Sequence, residues 1–161
     1  MSKITYLTGN LLAASQRIIA HGCNARGTMG KGLAKDLKAA YPDAFEVYRN
    51  KFERDGLNVG DVIPWVSERR VVLNLITQDG YGQASGVVYT NYDGVRTCMR
   101  RIETAAKRHQ STGEGPFHTD PQIAFPRIGA GYGKGDWERI VEIIEGEINS
   151  LEVFVYTPAA R

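Results

Sequence analysis

Two glycine-rich segments carry the strongest chemical signal in this 161-residue chain. The first glycine segment spans residues 21–34 and the second glycine segment spans residues 126–136, and each is predicted to lead from a strand into a helix. Glycine lets a backbone approach a ligand closely, and the free N–H groups at a helix N-terminus attract anions. Such loops meet at one edge of an open α/β sheet. Either segment alone could be a tight turn, but the pair favours a site that encloses phosphate groups.

Three side chains near these segments are candidates for acid–base or orienting chemistry. His21 is predicted to end a strand and to point into the cleft, where an imidazole could activate water, act as a nucleophile or protonate a leaving oxygen. Asn24 could orient a ligand through its amide, and Asp79 could serve as a general base. The structural alternatives are a histidine that shapes the loop, an asparagine in a turn, and an Asp-Gly turn at residues 79–80.

Other side chains of the same regions have alternatives that the sequence leaves open. Lys31 and Arg127 could neutralise phosphate charge or could be solvated surface cations. Tyr81 and Tyr132 could stack on a ligand. Cys23 lacks the signature of a cysteine-dependent phosphatase around it, so we interpret it as a small buried residue. Because no cluster has metal-ligand spacing, we expect no metal and no other cofactor.

Short apolar runs alternate with helical patterns along the chain. Apolar residues recur every three or four positions in four predicted helices, and Asp136 is predicted to cap the last of them. The alternation predicts a single three-layer α/β domain over residues 1–161. We expect an exposed polar loop at residues 109–121, in which His109 and His118 are solvated. The predicted strands are residues 4–7, 17–20, 61–66, 71–76, 122–125 and 151–156.

Composition and charge exclude several classes of protein. Lys and Arg number 20 against 18 Asp and Glu, and a net charge of +2 argues against a dedicated nucleic-acid-binding protein. The two cysteines, Cys23 and Cys98, are far apart in sequence and are expected to be free thiols. No segment approaches the roughly 20 apolar residues of a membrane helix, and no signal peptide is evident. We expect a cytoplasmic, monomeric protein with no membrane partner.

The motifs taken together resemble those of a macro domain. Gly9-Asn10-Leu11-Leu12, Asn24 with the first glycine segment, and Pro126-Arg127-Ile128-Gly129-Ala130-Gly131 follow one another in the family's order. Residues 19–24, Leu33-Ala34 and Tyr41-Pro42 are most similar to the branch that contains ADP-ribose 1''-phosphate phosphatases and hydrolases that remove ADP-ribose from glutamate or DNA bases. The resemblance implies a three-layer α/β/α fold with a central mixed, mostly parallel six-stranded sheet.

The resemblance also implies a ligand and the residues that hold it. The ligand would be ADP-ribose or a derivative, with the distal ribose and diphosphate beside the first glycine segment. Backbone N–H groups of the second glycine segment would cover the diphosphate, and Asn10 would stand near the adenine in place of a family aspartate. The implied ligand-binding residues are Gly9, Asn10, Leu11, Gly22, Gly30, Lys31, Gly32, Leu33, Ala34, Gln78, Arg127, Ile128, Gly129, Ala130, Gly131, Tyr132 and Gly133.

Two departures from the family pattern bear on catalysis. Gln78 stands where the glutamate- and DNA-directed hydrolases carry a lysine, and an amide cannot form a covalent sugar adduct. Gly133 stands where the protein-directed hydrolases carry an aspartate. Our first hypothesis is therefore a phosphatase that acts on ADP-ribose 1''-phosphate. The alternatives are a non-catalytic ADP-ribose-binding module and an ADP-ribosyl hydrolase with another residue set, for which nucleic acid would be a partner only as an ADP-ribosylated substrate.

Overall fold

Six strands form one mixed sheet within residues 4–159, the part of the chain that the computed structural model describes. The strands are β1 (Ile4–Thr8), β2 (Ile18–Asn24), β3 (Val62–Val66), β4 (Val71–Gln78), β5 (Gln122–Phe125) and β6 (Glu152–Thr157). They lie in the order β1-β6-β5-β2-β4-β3. β3 is antiparallel to β4, whereas all other neighbouring pairs are parallel. The predicted mixed, mostly parallel six-stranded sheet is confirmed.

Strand β2 is longer than the sequence predicts. The prediction ended this strand at Ala20, but β2 continues to Asn24 and pairs with β4 along its length. The reason is a polar contact inside the sheet: His21 of β2 lies opposite Asn74 of β4, and the two side chains form a hydrogen bond. A buried polar residue with a partner can therefore continue a strand where an apolar pattern ends.

Helices cover both faces of the sheet. α1 (Gly32–Ala40) and α2 (Pro42–Asp55) pack on one face, and α3 (Tyr92–Thr112) and α5 (Trp137–Glu147) pack on the other, which gives three layers. The face under α3 and α5 carries the larger apolar cluster. The Asp136 side chain accepts a hydrogen bond from the Glu138 N–H, which confirms the predicted helix cap. A 3₁₀ turn at Leu11–Ala13 follows β1.

The prediction of an exposed polar loop at residues 109–121 is wrong. Helix α3 continues to Thr112 and ends at Gly113, whose φ of 74° is the left-handed conformation that glycine favours. A short helix, α4 (Pro116–Thr119), follows and buries Phe117. The His109 ring stacks on Phe117 with centroids 5.8 Å apart, so His109 is half-buried, while His118 is exposed. One aromatic anchor thus organises a segment whose sequence is otherwise polar.

Five of the six strands point in the same direction, so their carboxyl ends share one edge of the sheet. The first glycine segment begins within β2 and continues beyond it, and the second follows β5. These two strands are direct neighbours. Residues 79–91, which connect β4 to α3, leave the same edge. This edge therefore brings the two glycine segments and a third connection together. Across residues 4–159, none of the helices has the length and apolar character needed to cross a membrane.

Candidate ligand-binding site

A cleft of about 800 Å³ lies at this edge of the sheet. Its volume falls within the roughly 300–1,000 Å³ of small-molecule sites. The first glycine segment forms one wall and the second forms the opposite wall. A third side is closed by Thr77, Gln78, Tyr81, Gly82 and Gln83. Among the described residues that line the cleft, none is an aspartate or a glutamate, whereas Lys31 and Arg127 are present. The lining therefore suits an anionic ligand.

The first wall leads into the N-terminus of α1. Lys31 is the N-cap residue, and its side chain makes no capping hydrogen bond. Gly32 adopts a φ of 60° and opens the helix, so Gly32, Leu33 and Ala34 supply the N–H groups of its first turn. These N–H groups have no acceptor within the helix, and the positive end of the helix dipole adds to their attraction for an anion.

The second wall is a tightly closed loop of backbone. The Gly129 carbonyl accepts a hydrogen bond from the Gly135 N–H, and the Gly133 carbonyl accepts from the N–H groups of Tyr89 and Thr90. Because those carbonyls are engaged, the loop has few ways to rearrange. Among the described residues, no protein acceptor pairs with the N–H groups of Gly131, Tyr132 and Gly133. These donors are available to an anion in the cleft.

Position 133 suits only glycine, because other atoms occupy the space that a side chain would need. A Cβ built there would collide with the Thr90 hydroxyl and lie 2.9 Å from the Gly129 carbonyl oxygen and 3.0 Å from Gln78 Oε1. This is the position where the family resemblance placed an aspartate in protein-directed hydrolases. In this chain the neighbouring residues pack so closely against residue 133 that such a side chain has no room.

Gln78 lines the cleft at the end of β4, and its amide is held in one orientation. Its Nε2 donates a hydrogen bond to the Gly80 carbonyl at 2.8 Å. The side chain is partly buried and carries no amine. The position where the family resemblance implied a lysine in other hydrolases thus offers only an amide to a ligand in this chain.

His21 belongs to the cleft lining, as the sequence predicted, but it does not stand at a strand end. His21 lies within β2 rather than at its end, and it touches the cleft only through the 1% of its surface that is exposed. Its Nε2 lies 2.6 Å from Asn74 Oδ1, and the Asn74 amide in turn donates to the carbonyls of Ala44 and Ile63. Burial lowers the pKa of His21 to about 4, although the hydrogen bond to Asn74 opposes that shift. His21 is a neutral, buried side chain that joins two strands.

Asn24 and Asp79 also have partners that limit their chemistry. The Asn24 amide donates to the carbonyl and hydroxyl of Thr28, and its Oδ1 accepts from the Arg26 N–H and the Tyr48 hydroxyl. Asn24 borders the cleft, but its side-chain hydrogen bonds stabilise the conformation of the first glycine segment. Asp79 lies outside the cleft lining, is 72% exposed, and pairs with Arg26 at 3.1 Å. Asp79 follows β4, as predicted, but the structure does not bring it into the cleft, and its role as a general base stays a prediction.

Most of the implied ligand-binding residues do come together at the cleft. They are Gly22, Gly30, Lys31, Gly32, Leu33, Ala34, Gln78, Arg127, Ile128, Gly129, Ala130, Gly131, Tyr132 and Gly133. Gly9, Asn10 and Leu11 are not part of its lining: Asn10 caps the 3₁₀ turn and Leu11 is buried in the core. Gly9 donates to the carbonyl of Thr157, whose neighbour Pro158 does line the cleft. These three residues therefore stand beside the cleft rather than in it.

Tyr132 joins the two walls of the cleft. A Cβ at Gly32 would lie 2.8 Å from Tyr132 Cε2, so the tyrosine ring rests directly on the backbone of the first glycine segment. The other side of the ring is open, because Tyr132 is 55% exposed. Cys23 is buried beneath the same wall, and burial raises the pKa of its thiol, in keeping with a small buried residue rather than a nucleophile.

The sequence analysis missed the third side of the cleft. Gly82 and Gln83 line it beside Tyr81, and Tyr89 fastens this connection to the second glycine segment. A signal was present, since residues 80–92 form an uncharged run of thirteen in a chain with 24% charged residues. Within residues 4–159, no three His, Cys, Asp or Glu side chains are placed to hold a metal ion.

Comparison with known proteins agrees with this architecture. The Macro domain family model matches residues 20–144, and the chain belongs to the macro domain family. The solved macrodomain of Thermus aquaticus DarG superposes with a TM-score of 0.75 at 24% identity, over 97% of this chain and 99% of that one. This likeness supports the three-layer fold.

Two characterised relatives differ in their named activities. A Thermus aquaticus DNA ADP-ribosyl glycohydrolase is 28% identical over 96% of this chain, but the match spans only 41% of that protein. An ADP-ribose 1''-phosphate phosphatase of Candida glabrata is 28% identical over 97% of this chain and 99% of its own length. The relatives are hydrolases that differ in their substrates.

Proposed function

We propose that this chain binds ADP-ribose derivatives in the cleft and removes the terminal phosphate of ADP-ribose 1''-phosphate. The observation that carries the proposal is the pair of glycine segments that face each other across a cleft, whose described lining has no carboxylate. Their unpaired N–H groups and Lys31 suit the negative charge of a diphosphate and a terminal phosphate. The relative named as a phosphatase matches end to end, which supports the same choice.

The chemistry proposed for this site rests on backbone groups more than on an acid–base pair. Hydrolysis of a phosphate monoester needs charge stabilisation on the phosphoryl oxygens and a positioned water. The N–H groups of both glycine segments and the Lys31 ammonium would supply the first requirement. Asn24 would hold the first glycine segment in place, and His21 would hold β2 to β4. Gln78 would meet the ligand as an amide, without covalent chemistry.

A non-catalytic binding module is the second candidate, and one observation favours it. The described lining offers neither a carboxylate nor an exposed imidazole that could act as a general base. A hydrolase that acts on ADP-ribosylated macromolecules is the third candidate, supported by the Thermus glycohydrolase relative. The lysine-dependent version of that reaction is disfavoured, because Gln78 carries an amide in place of an amine.

Two assays on the wild-type chain separate these candidates. Calorimetry with ADP-ribose measures binding, and release of inorganic phosphate from ADP-ribose 1''-phosphate measures turnover. Binding with turnover supports the phosphatase. Binding without turnover favours the module or the macromolecular hydrolase, and ADP-ribosylated protein and DNA then distinguish those two. No heat at millimolar ADP-ribose would reject the proposal.

Lys31→Gln is expected to weaken ADP-ribose binding by about threefold to tenfold, because it removes one exposed cation from the cleft wall. The loss should shrink at high salt, since salt screens exposed charges. Lys35→Gln is the matched control, because Lys35 is exposed on the same helix and lies outside the lining. Calorimetry at two salt concentrations checks the prediction. Equal losses in both variants would show that net charge, and not the position of Lys31, matters.

A further inference from the structure

One residue outside the cleft lining holds the second glycine segment in shape. Thr90 is 5% exposed and lies two residues before the start of α3. We propose that Thr90 is a positioning residue that sets the backbone of the second glycine segment for binding the ligand's phosphates. The inference rests on the proposed ADP-ribose site and adds a residue that the sequence motifs do not mark.

Hydrogen bonds from Thr90 reach both ends of the phosphate-facing stretch. Its Oγ1 donates to the Gly129 carbonyl at 2.7 Å, and its N–H donates to the Gly133 carbonyl at 3.0 Å. Residues 129–133 are therefore tied at both ends to one threonine. Because each peptide unit is planar, the direction of a carbonyl also fixes the N–H of the following residue. Thr90 thus fixes the peptide planes at the two ends of the loop, and the backbone that carries the N–H groups of Gly131, Tyr132 and Gly133 is held between them.

The packing around Thr90 supports the same conclusion independently of hydrogen bonds. A Cβ at Gly129 would lie 2.9 Å from Thr90 Cγ2, and a Cβ at Gly135 would lie 3.2 Å from Thr90 Cβ. A Cβ at Gly133 would collide with the Thr90 hydroxyl. Three glycines of one loop therefore lack side chains at the places where this threonine sits. The loop is shaped around Thr90.

Thr90 is itself firmly held by the scaffold. The next residue, Asn91, donates its N–H to the Thr77 carbonyl at the end of β4, at 2.7 Å. The Asn91 side chain caps α3 by accepting from the Gly94 N–H at 2.9 Å. Thr90 thus links β4 and α3 to a loop that follows β5. A rigid anchor of this kind fixes donors before a ligand arrives, which lowers the ordering cost of binding.

Three substitutions at Thr90 test the role of its hydroxyl, with ADP-ribose as the probe. Thr90→Val keeps the branched shape and removes the hydroxyl, and we expect ADP-ribose affinity to fall by about tenfold or more. Thr90→Ser keeps the hydroxyl, and its affinity should stay within about threefold of wild type. Thr90→Ala, which loses the hydroxyl without added apolar bulk, should repeat the loss if the valine variant does not fold. The matched control is Thr97→Val, which removes a hydroxyl that bonds to the Asp93 carbonyl within α3; its affinity should not change.

Amide hydrogen exchange without ligand separates this inference from the proposed function. We expect faster exchange at the hydrogen-bonded amides of Ala130, Lys134 and Gly135 in Thr90→Val or Thr90→Ala, and wild-type exchange in Thr90→Ser. That result would support the positioning role even if ADP-ribose failed to bind the wild type. Unchanged exchange and affinity within twofold of wild type in a folded hydroxyl-free variant would overturn it. Equal loss in Thr90→Ser and Thr90→Val would also overturn it, because the hydroxyl would then not matter.

Discussion

Replacing Gly133 by aspartate is expected to destabilise the domain and to abolish ADP-ribose binding, rather than to create a protein-directed hydrolase. The new Cβ would collide with the Thr90 hydroxyl and lie 2.9 Å from the Gly129 carbonyl oxygen, which is backbone and cannot swing away. Overpacking of this kind costs about 1–3 kcal/mol. At the upper end, a chain of this length would lose roughly 6–12 °C in Tm. The carboxylate would also repel phosphate in the cleft.

Gly131→Asp is the matched control for that experiment. It adds the same charge to the same loop, but a Cβ at Gly131 meets no atom within 4 Å. Thermal unfolding should therefore change little in Gly131→Asp and markedly in Gly133→Asp, while calorimetry should show weaker ADP-ribose binding in both. A wild-type Tm for Gly133→Asp would mean that the loop can open around residue 133. Our account of why this position is glycine would then be incorrect.

The stability of the domain is expected to fall as pH drops from about 6.5 to about 4, with His21 as a main cause. Burial lowers the pKa of His21 to about 4 in the folded chain, against 6.5 when it is unfolded. Between these pH values, His21 is protonated in the unfolded chain but neutral in the folded chain. Acid therefore favours unfolding. The contribution of neutral His21 to the free energy of unfolding is fully present above pH 6.5 and is lost as the pH falls towards 4. The shift corresponds to about 3 kcal/mol of unfolding free energy.

Urea unfolding at several pH values between 7 and 4 measures this effect. His21→Gln is the comparison, because a glutamine amide can still donate to Asn74 Oδ1 but does not titrate in this range. Carboxylates titrate in both proteins, so the difference between the two pH profiles isolates His21. The profiles should diverge below pH 6.5, with the wild type losing more stability. Parallel profiles would mean that the folded chain accepts the proton on His21.

Features set by local sequence could be predicted, and those set by distant partners could not. The two glycine segments and the Asp136 cap are local patterns, and the structure has both. The placement of His21 depends on Asn74, which is 53 residues away along the chain. No periodicity within β2 indicates that pairing. The predicted strand end at His21 is therefore wrong, while the catalytic role of His21 stays a prediction.

The same distinction explains the other misjudged regions. Residues 109–121 are polar, yet the contact between His109 and Phe117 is enough to order them as the end of α3 and the short α4. The sequence does not mark Thr90, because its role depends on contacts with glycines that are 39 or more residues further along the chain. A glycine-rich motif indicates where a backbone must pass closely by something. It does not indicate whether that neighbour is a ligand or another part of the protein.

The contact between Tyr132 and Gly32 has a kinetic consequence. The two walls of the cleft touch each other through one aromatic ring, whose outer side is open. We expect a molecule that spans both walls to displace this ring on entry and again on departure. The ring therefore acts on the rates of entry and escape together. Affinity, which depends on their ratio, can stay the same while the dwell time of the ligand changes.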